Sequence, residues 1–185
     1  MAASFSPIAV PCAIALGSNL SSNLGNSRDI LQQALRTLHH PPDLALVTQS
    51  SLYQTIAVGP PQPDILNACA LVNTTLTASA LLQRLLAIEQ QFGRVRRERW
   101  GPRTLDLDLI FYGQIIHTDP DLQVPHPRLR ERSFVLIPLA EIAPAWIDPV
   151  TGRSVQDLCT ALDPAGVTLL GQFSPAQAPP AGSQR

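Results

Sequence analysis

Between Leu105 and Tyr112 the chain reads LDLDLIFY, and few local patterns restrict a fold more tightly. Side chains alternate across a strand, so Leu105, Leu107 and Leu109 fall on one face and Asp106 and Asp108 on the other. Such a strand needs a core beneath it and open space above. The two carboxylates stand roughly 6.5–7 Å apart along the strand, and their mutual repulsion does nothing for stability. One or two hard cations would offset that repulsion and leave positions open for phosphate oxygens. Just upstream, residues 93–104 carry five arginines: Arg94, Arg96, Arg97, Arg99 and Arg103. A half-exposed strand with solvated aspartates is the plain alternative; the arginines favour metal and phosphate.

The chain has 185 residues, 45% of them hydrophobic, enough to bury a core as one domain with a tail. A net charge of -1 gives no argument for nucleic acid or an anionic membrane. All thirteen basic residues are arginine, and eight of them lie between Arg94 and Arg132. Arginine offers phosphate a bidentate fork, although an arginine-only chain also arises from compositional bias. Cys12, Cys69 and Cys159 are far apart in apolar surroundings and read as small buried hydrophobes rather than zinc ligands or disulfides. The apolar run 8–16 is short, contains Pro11 and lacks a basic flank, so neither a signal peptide nor a membrane span is expected. A cytoplasmic monomer is the expectation.

Read in order, residues 1–11 form a lead-in and residues 12–171 a single domain. A buried strand is predicted at 12–16, ended by the turn residues Gly17-Ser18-Asn19. A helix capped by Ser21, Ser22 or Asn23 follows, with Leu24, Leu31, Ala34, Leu35 and Leu38 on one stripe. Residues 44–54 alternate as one strand, residues 55–64 are a proline-rich loop, and residues 65–74 a central strand. Thr77 opens a second helix closed by Gly93. After the 105–112 strand, Gly113-Gln114 predicts a tight hairpin into 115–117. Residues 119–132 read as a loop, 133–142 and 154–162 as short helices, and 172–185 as a disordered tail rich in Ala, Pro, Ser and Gln. The order βαββαβ predicts an α+β, ferredoxin-like antiparallel sheet with two helices on one face and extra C-terminal helices.

That fold serves many functions, RNA binding among them. An RNA-binding module using the arginine loop is one alternative, weakened because no exposed aromatics mark the sheet. Another Mg²⁺-dependent phosphotransferase is a second. No P-loop and no Rossmann glycine motif occurs. His126, held between Pro125 and Pro127, reads either as structural or as a donor to a phosphate oxygen.

Six segments together resemble the 6-hydroxymethyl-7,8-dihydropterin pyrophosphokinase family: IALGSNL (14–20), SSLYQT (50–55), GPPQPDILNA (59–68), IEQQFGR (88–94), RWGPRTLDLDLIFYG (99–113) and VPHPRLRERSFVLIPLAEIAP (124–144). The resemblance implies a ferredoxin-like fold, ATP as co-substrate, two Mg²⁺ ions, a hydroxymethyl-dihydropterin acceptor, and no nucleic-acid or membrane partner. It implies Asp106 and Asp108 as metal ligands, and Arg94, Arg96 and Arg103 on phosphates. Trp100 matches a loop aromatic that closes the site, and His126 and Arg132 match residues at the triphosphate. Thr55, Asn67 and Phe134 match the pterin contacts, and Glu89 and Leu109 positions near adenine and ribose. Three positions differ from versions seen in some members: Ile65 stands where some have an aromatic, Arg97 where some have a lysine, and Pro127 where some have a tyrosine.

Overall fold

Val10–Ser18 (β1) supplies the spine of the sheet, longer at both ends than the predicted strand. The computed structural model describes residues 8–57, 61–94 and 101–173. Along β1, Cys12, Ile14 and Leu16 point to one core and Ala13 and Ala15 to another on the opposite face. Burial on both faces is why Cys12 to Leu16 is apolar without interruption.

The first helix, Ser27–Thr37 (α1), is capped by Asn26, whose side chain accepts from the N–H groups of Arg28 and Asp29 while Asp29 returns the bond. The cap therefore lies beyond the predicted Ser21, Ser22 or Asn23. Residues 22–25 close a turn of their own, with mutual backbone bonds between Ser22 and Gly25, and Gly25 sits at φ 121°. Ile30, Leu31, Ala34 and Leu35 face the core. The predicted single strand 44–54 is two, Leu44–Gln49 (β2) and Leu52–Thr55 (β3). At the break Ser50 exchanges bonds with Cys69, and the Ser51 N–H turns to the Glu141 carboxylate at 2.9 Å. Both strands pair with Ile65–Thr74 (β4). Thr77 caps Ala78–Gln91 (α2) as expected, and Gly93 ends it in the left-handed conformation, φ 74°.

Asp106–Tyr112 (β5) lies antiparallel to β1. Leu107 and Leu109 join Leu105 under α1 and α2, as the alternation requires. A bulge then leaves Ile110 between Leu109, opposite Ile14, and Phe111, opposite Ala13. Ile110 and Phe111 are therefore both buried on the far face. The turn at Gly113-Gln114 does not return a strand to β5. The next strand, His117–Asp119 (β6), pairs instead with Leu122–Val124 (β7), inside the stretch predicted as loop. A 3-10 turn at Leu129–Glu131 leads into Ser133–Ile142 (α3), followed by Val155–Thr160 (α4). Val167–Gly171 (β8), which has no counterpart in the sequence reading, pairs with β3.

The sheet runs β5-β1-β4-β3-β8, with β2 also on β4, giving an α+β ferredoxin-like fold. Helices α1 and α2 cover one face; α3 and α4 cover the other. On the second face Phe111 stacks on Trp146 at 5.5 Å between ring centroids. The face an RNA-binding relative would expose is thus largely filled. Among the described residues no helix is long and apolar enough to cross a membrane.

Candidate functional site

The start of β5 carries Asp106 and Asp108 on the α3 side, each partly open to solvent. Arg94 and Arg103, at the two ends of the arginine segment, both reach Asp106. Arg94 Nη1 lies 2.6 Å from Oδ1 and Arg103 Nη1 2.7 Å from Oδ2. Arg94 also pairs with Glu89, a carboxylate on α2 that is 2% exposed. Burial raises the Glu89 pKa, against the Leu107 N–H it accepts at 2.7 Å and the Arg94 charge. Glu89 therefore ties α2 to β5 beneath the aspartates.

Asp108 has its own cation. Arg132 Nη1 donates to Oδ2 at 2.9 Å, and the same guanidinium lies over the Phe134 ring, 5.6 Å from its centroid. His126 is set by its backbone: its N–H donates to the carbonyl of the bulged Ile110 at 3.0 Å. Its Nδ1 accepts the Arg128 N–H at 3.2 Å, which leaves Nε2 to carry the proton, 3.9 Å from Asp108. Burial pushes the imidazole pKa below its usual value; Asp108 opposes this, and Arg132 and Arg128 add to it. With Nδ1 used as an acceptor, the ring turns its Nε2 donor toward Asp108.

Two strands across lies the other predicted group. Asn67 Nδ2 donates to Thr55 Oγ1 at 2.8 Å and to the Ile65 carbonyl at 3.1 Å. In register, Gly17 of β1 stands between Asn67 of β4 and Asp106 of β5. The structure thus brings Arg94, Arg103 and Asp106 into one cluster, Asp108, His126, Arg132 and Phe134 into a second, and Thr55 and Asn67 into a third along the same sheet. Arg96 and Trp100 lie outside the described residues.

A cleft of about 270 Å³ opens over β5, lined by Glu89, Arg94, Asp106, Asp108, Leu109 and His126. Leu82 and Leu86 of α2 and Asp121 and Gln123 of the β6–β7 hairpin complete its walls. Sequence reading missed these four: a hairpin read as loop gives no signal that Asp121 and Gln123 form a wall, and Leu82 and Leu86 lie on a helix read only for its core stripe. It also missed Asn19. The Asn19 Oδ1 accepts the Arg103 N–H at 2.8 Å, and its Nδ2 donates to Gln62 Oε1 and the Pro63 carbonyl at 3.0 Å. It fastens the segment before β4 to the one before β5.

Two carboxylates on one strand suit Mg²⁺, which is commonly held by one or two protein carboxylates and completed by water and phosphate oxygens. Among the described residues no three His, Cys, Asp or Glu side chains converge on a point. A cation held by this pair would complete its shell with water and phosphate oxygens.

An aspartate pair ringed by arginines, on a ferredoxin-like sheet with a cleft above it, defines a class: α+β domains equipped for phosphoryl-group transfer. The family model of 7,8-dihydro-6-hydroxymethylpterin-pyrophosphokinase (HPPK) matches residues 13–144, and the chain belongs to that family. It is 47% identical over 165 residues to the 2-amino-4-hydroxy-6-hydroxymethyldihydropteridine pyrophosphokinase of Synechocystis sp., covering 85% of each chain. The enzyme of the same name from Pseudomonas aeruginosa is 42% identical over 152 residues, 82% of this chain and 93% of its own. Among solved structures, the wild-type HPPK-DHPS of Plasmodium falciparum with SDX-DHP superposes with a TM-score of 0.62 at 13% identity, over 85% of this chain and 45% of that one. The chain spans less than half the length of that solved protein, and the likeness concerns the fold.

Proposed function

We propose that this chain transfers the β,γ-diphosphate of ATP to the hydroxymethyl oxygen of 6-hydroxymethyl-7,8-dihydropterin, releasing AMP, as a step of folate biosynthesis. Family membership supports the reading. The observation that carries it is Asp106 and Asp108 standing, with their arginines, on the sheet face that also presents Asn67. One face then offers a phosphate-and-metal half and a half that reads a small polar ring.

In the reaction the bond between the β-phosphorus and the α,β-bridging oxygen breaks and one to the hydroxymethyl oxygen forms. The hydroxyl proton passes to solvent water, and AMP leaves with the bridging oxygen and the electron pair of the broken bond. Asp106 and Asp108 would hold two Mg²⁺ ions, which when bound neutralise phosphate charge and acidify the attacking hydroxyl. Arg94 and Arg103 turn from Asp106 to phosphate oxygens, and Arg132 does so from Asp108. His126 donates its Nε2 proton to another. Such transfer needs in-line positioning and charge neutralisation more than covalent help. Asn67 and Thr55 read the pterin edge, and Phe134 covers one ring face. Glu89 and Leu109 lie by adenine and ribose, and Arg96 and Trp100 close over the nucleotide. We place the protein in the cytoplasm as a monomer, a compartment supported by its three unpaired cysteines.

The test is to incubate the protein with ATP, Mg²⁺ and hydroxymethyl-dihydropterin and to follow both nucleotides. AMP should form only when pterin is present, and chelating the metal should stop it. The variants Asp106→Ala and Asp108→Ala should fold yet lose turnover by roughly 10³-fold or more. Formation of ADP in place of AMP would overturn the reading.

A further inference from the structure

Gly17 occupies the middle of the row Asn67–Gly17–Asp106, on the central strand of the candidate site. A glycine inside a strand weakens it and marks a bulge, a bend, or the close approach of a ligand or another backbone. A bulge is excluded, because the β1–β4 pairing runs unbroken from Val10 to Ser18 and the β1–β5 bulge lies at Ala13/Ile14. Gly17 is also not among the glycines with positive φ. Crowding by the protein is excluded as well. A Cβ at Gly17 would meet Asn67 Oδ1 at 3.7 Å, Asp106 Cβ at 3.8 Å and Ile65 Cγ2 at 3.8 Å, all ordinary contacts. The folded protein has room for a methyl group here, and the position is partly open to solvent. Regular pairing to both neighbouring strands and open space above Gly17 favour approach by a ligand.

We infer that Gly17 is a substrate-fitting position, whose missing side chain leaves the gap through which a pterin held at Asn67 extends its hydroxymethyl arm to phosphate held at Asp106. The inference rests on the diphosphate-transfer reading above. Adjacent strands lie about 4.8 Å apart, so the Asn67 and Asp106 backbones are about 10 Å apart across β1. A flat ring with a one-carbon arm spans that distance along the sheet only if nothing rises from the strand between. A methyl group at Gly17 stands between amide and carboxylate, in the path of the acceptor and away from the nucleotide cleft, whose lining does not include Gly17.

The test compares wild type with Gly17→Ala and Gly17→Ser by thermal melting, Mg²⁺-ATP binding, binding of fluorescent 6-hydroxymethylpterin, and AMP formation. Melting should move by no more than about 3 °C, and Mg²⁺-ATP affinity by less than about twofold. Pterin affinity and kcat/KM for the pterin should fall at least about tenfold, the scale on which one misplaced carbon is felt in a shaped pocket. Unchanged pterin binding, or equal losses for pterin and ATP, would overturn the inference. So would melting lowered by about 10 °C or more, which would mean that the fold itself requires glycine. Wild type that turns over no pterin removes the proposed function; active wild type with unaltered variants removes only the role of Gly17.

Discussion

Arg103 shows how one residue can be fixed and yet available. Its backbone N–H is bound by Asn19 Oδ1, and its carbonyl accepts from the N–H groups of Asn19 and Leu20 at 3.1 and 3.2 Å. Only the guanidinium is spent on Asp106. Removing that side chain therefore leaves the main-chain fastening whole, and Arg103→Ala should fold normally. Its contact should strengthen as charge develops on the moving diphosphate, so kcat should fall by about 10²- to 10³-fold while equilibrium ATP binding changes only a few-fold. Arg103→Lys, with charge but no fork, should recover part of the loss. Steady-state kinetics beside an equilibrium nucleotide titration would decide it; a loss lying wholly in ATP binding would assign Arg103 to ground-state binding. At this scale the two aspartates and their arginines were legible, because alternation and charge are local. Asn19 was not. In the chain it is one member of a turn trio, and its importance arises from a partner 84 residues away.

Elements were legible where a single periodicity ran through them, as in α2, and misread where a side chain from elsewhere intervened. Nothing near Ser50-Ser51 announces a break between β2 and β3; Glu141 of α3 makes it, accepting from the Ser51 N–H, the Ser51 hydroxyl and the Tyr53 hydroxyl. Strand β8 has the weak pattern of an edge strand, with Leu169 and Leu170 exposed. A second long-range tie joins the 3-10 turn to the segment between α3 and α4. Arg130 donates to the fully buried Asp148 through Nε at 2.7 Å and Nη2 at 2.9 Å, and Thr151 Oγ1 and the Val150 N–H donate as well. Burial alone would raise the Asp148 pKa, but those donors outweigh it and hold the carboxyl below its usual value. A carboxyl depressed in the folded state contributes stability above its unfolded pKa, about 3.9, and that contribution is lost as pH falls through the folded value. Asp148→Asn should therefore cost about 1–3 kcal/mol at pH 7, with water at the partly exposed Arg130 limiting the loss. The gap from wild type should narrow as pH falls below about 4. Urea denaturation of both proteins from pH 7 to 3 checks this, and a gap that stayed constant across the range would contradict it.

For the molecule as a whole, the βαββαβ order made the sheet and its first helix layer readable, since each helix stripe and strand alternation pointed to the same core. The second layer was visible only as extra helices. Which face they cover depends on the bulge at Ile110, which buries two consecutive residues, Ile110 and Phe111, on the far side. That layer packs directly against the strands that carry the site, since the second core combines Ala15 and Cys69 with Val135, Leu136 and Leu139 of α3. With one sheet between two cores, neither layer can be lost without exposing strands that the other also covers, so unfolding should be a single cooperative event. Phe111→Ala tests this from the far side, because Phe111 is fully buried and stacked on Trp146. The substitution should cost about 3–5 kcal/mol. In a Trp100→Phe background, where Trp146 is the remaining tryptophan, its fluorescence reports the far layer and far-UV circular dichroism reports all the helices and strands. Both signals should give the same urea midpoint, and both should shift together when Phe111 is shortened. A fluorescence transition that precedes the dichroism transition would show that the α3–α4 layer detaches by itself, and the site floor would then rest on the first core alone.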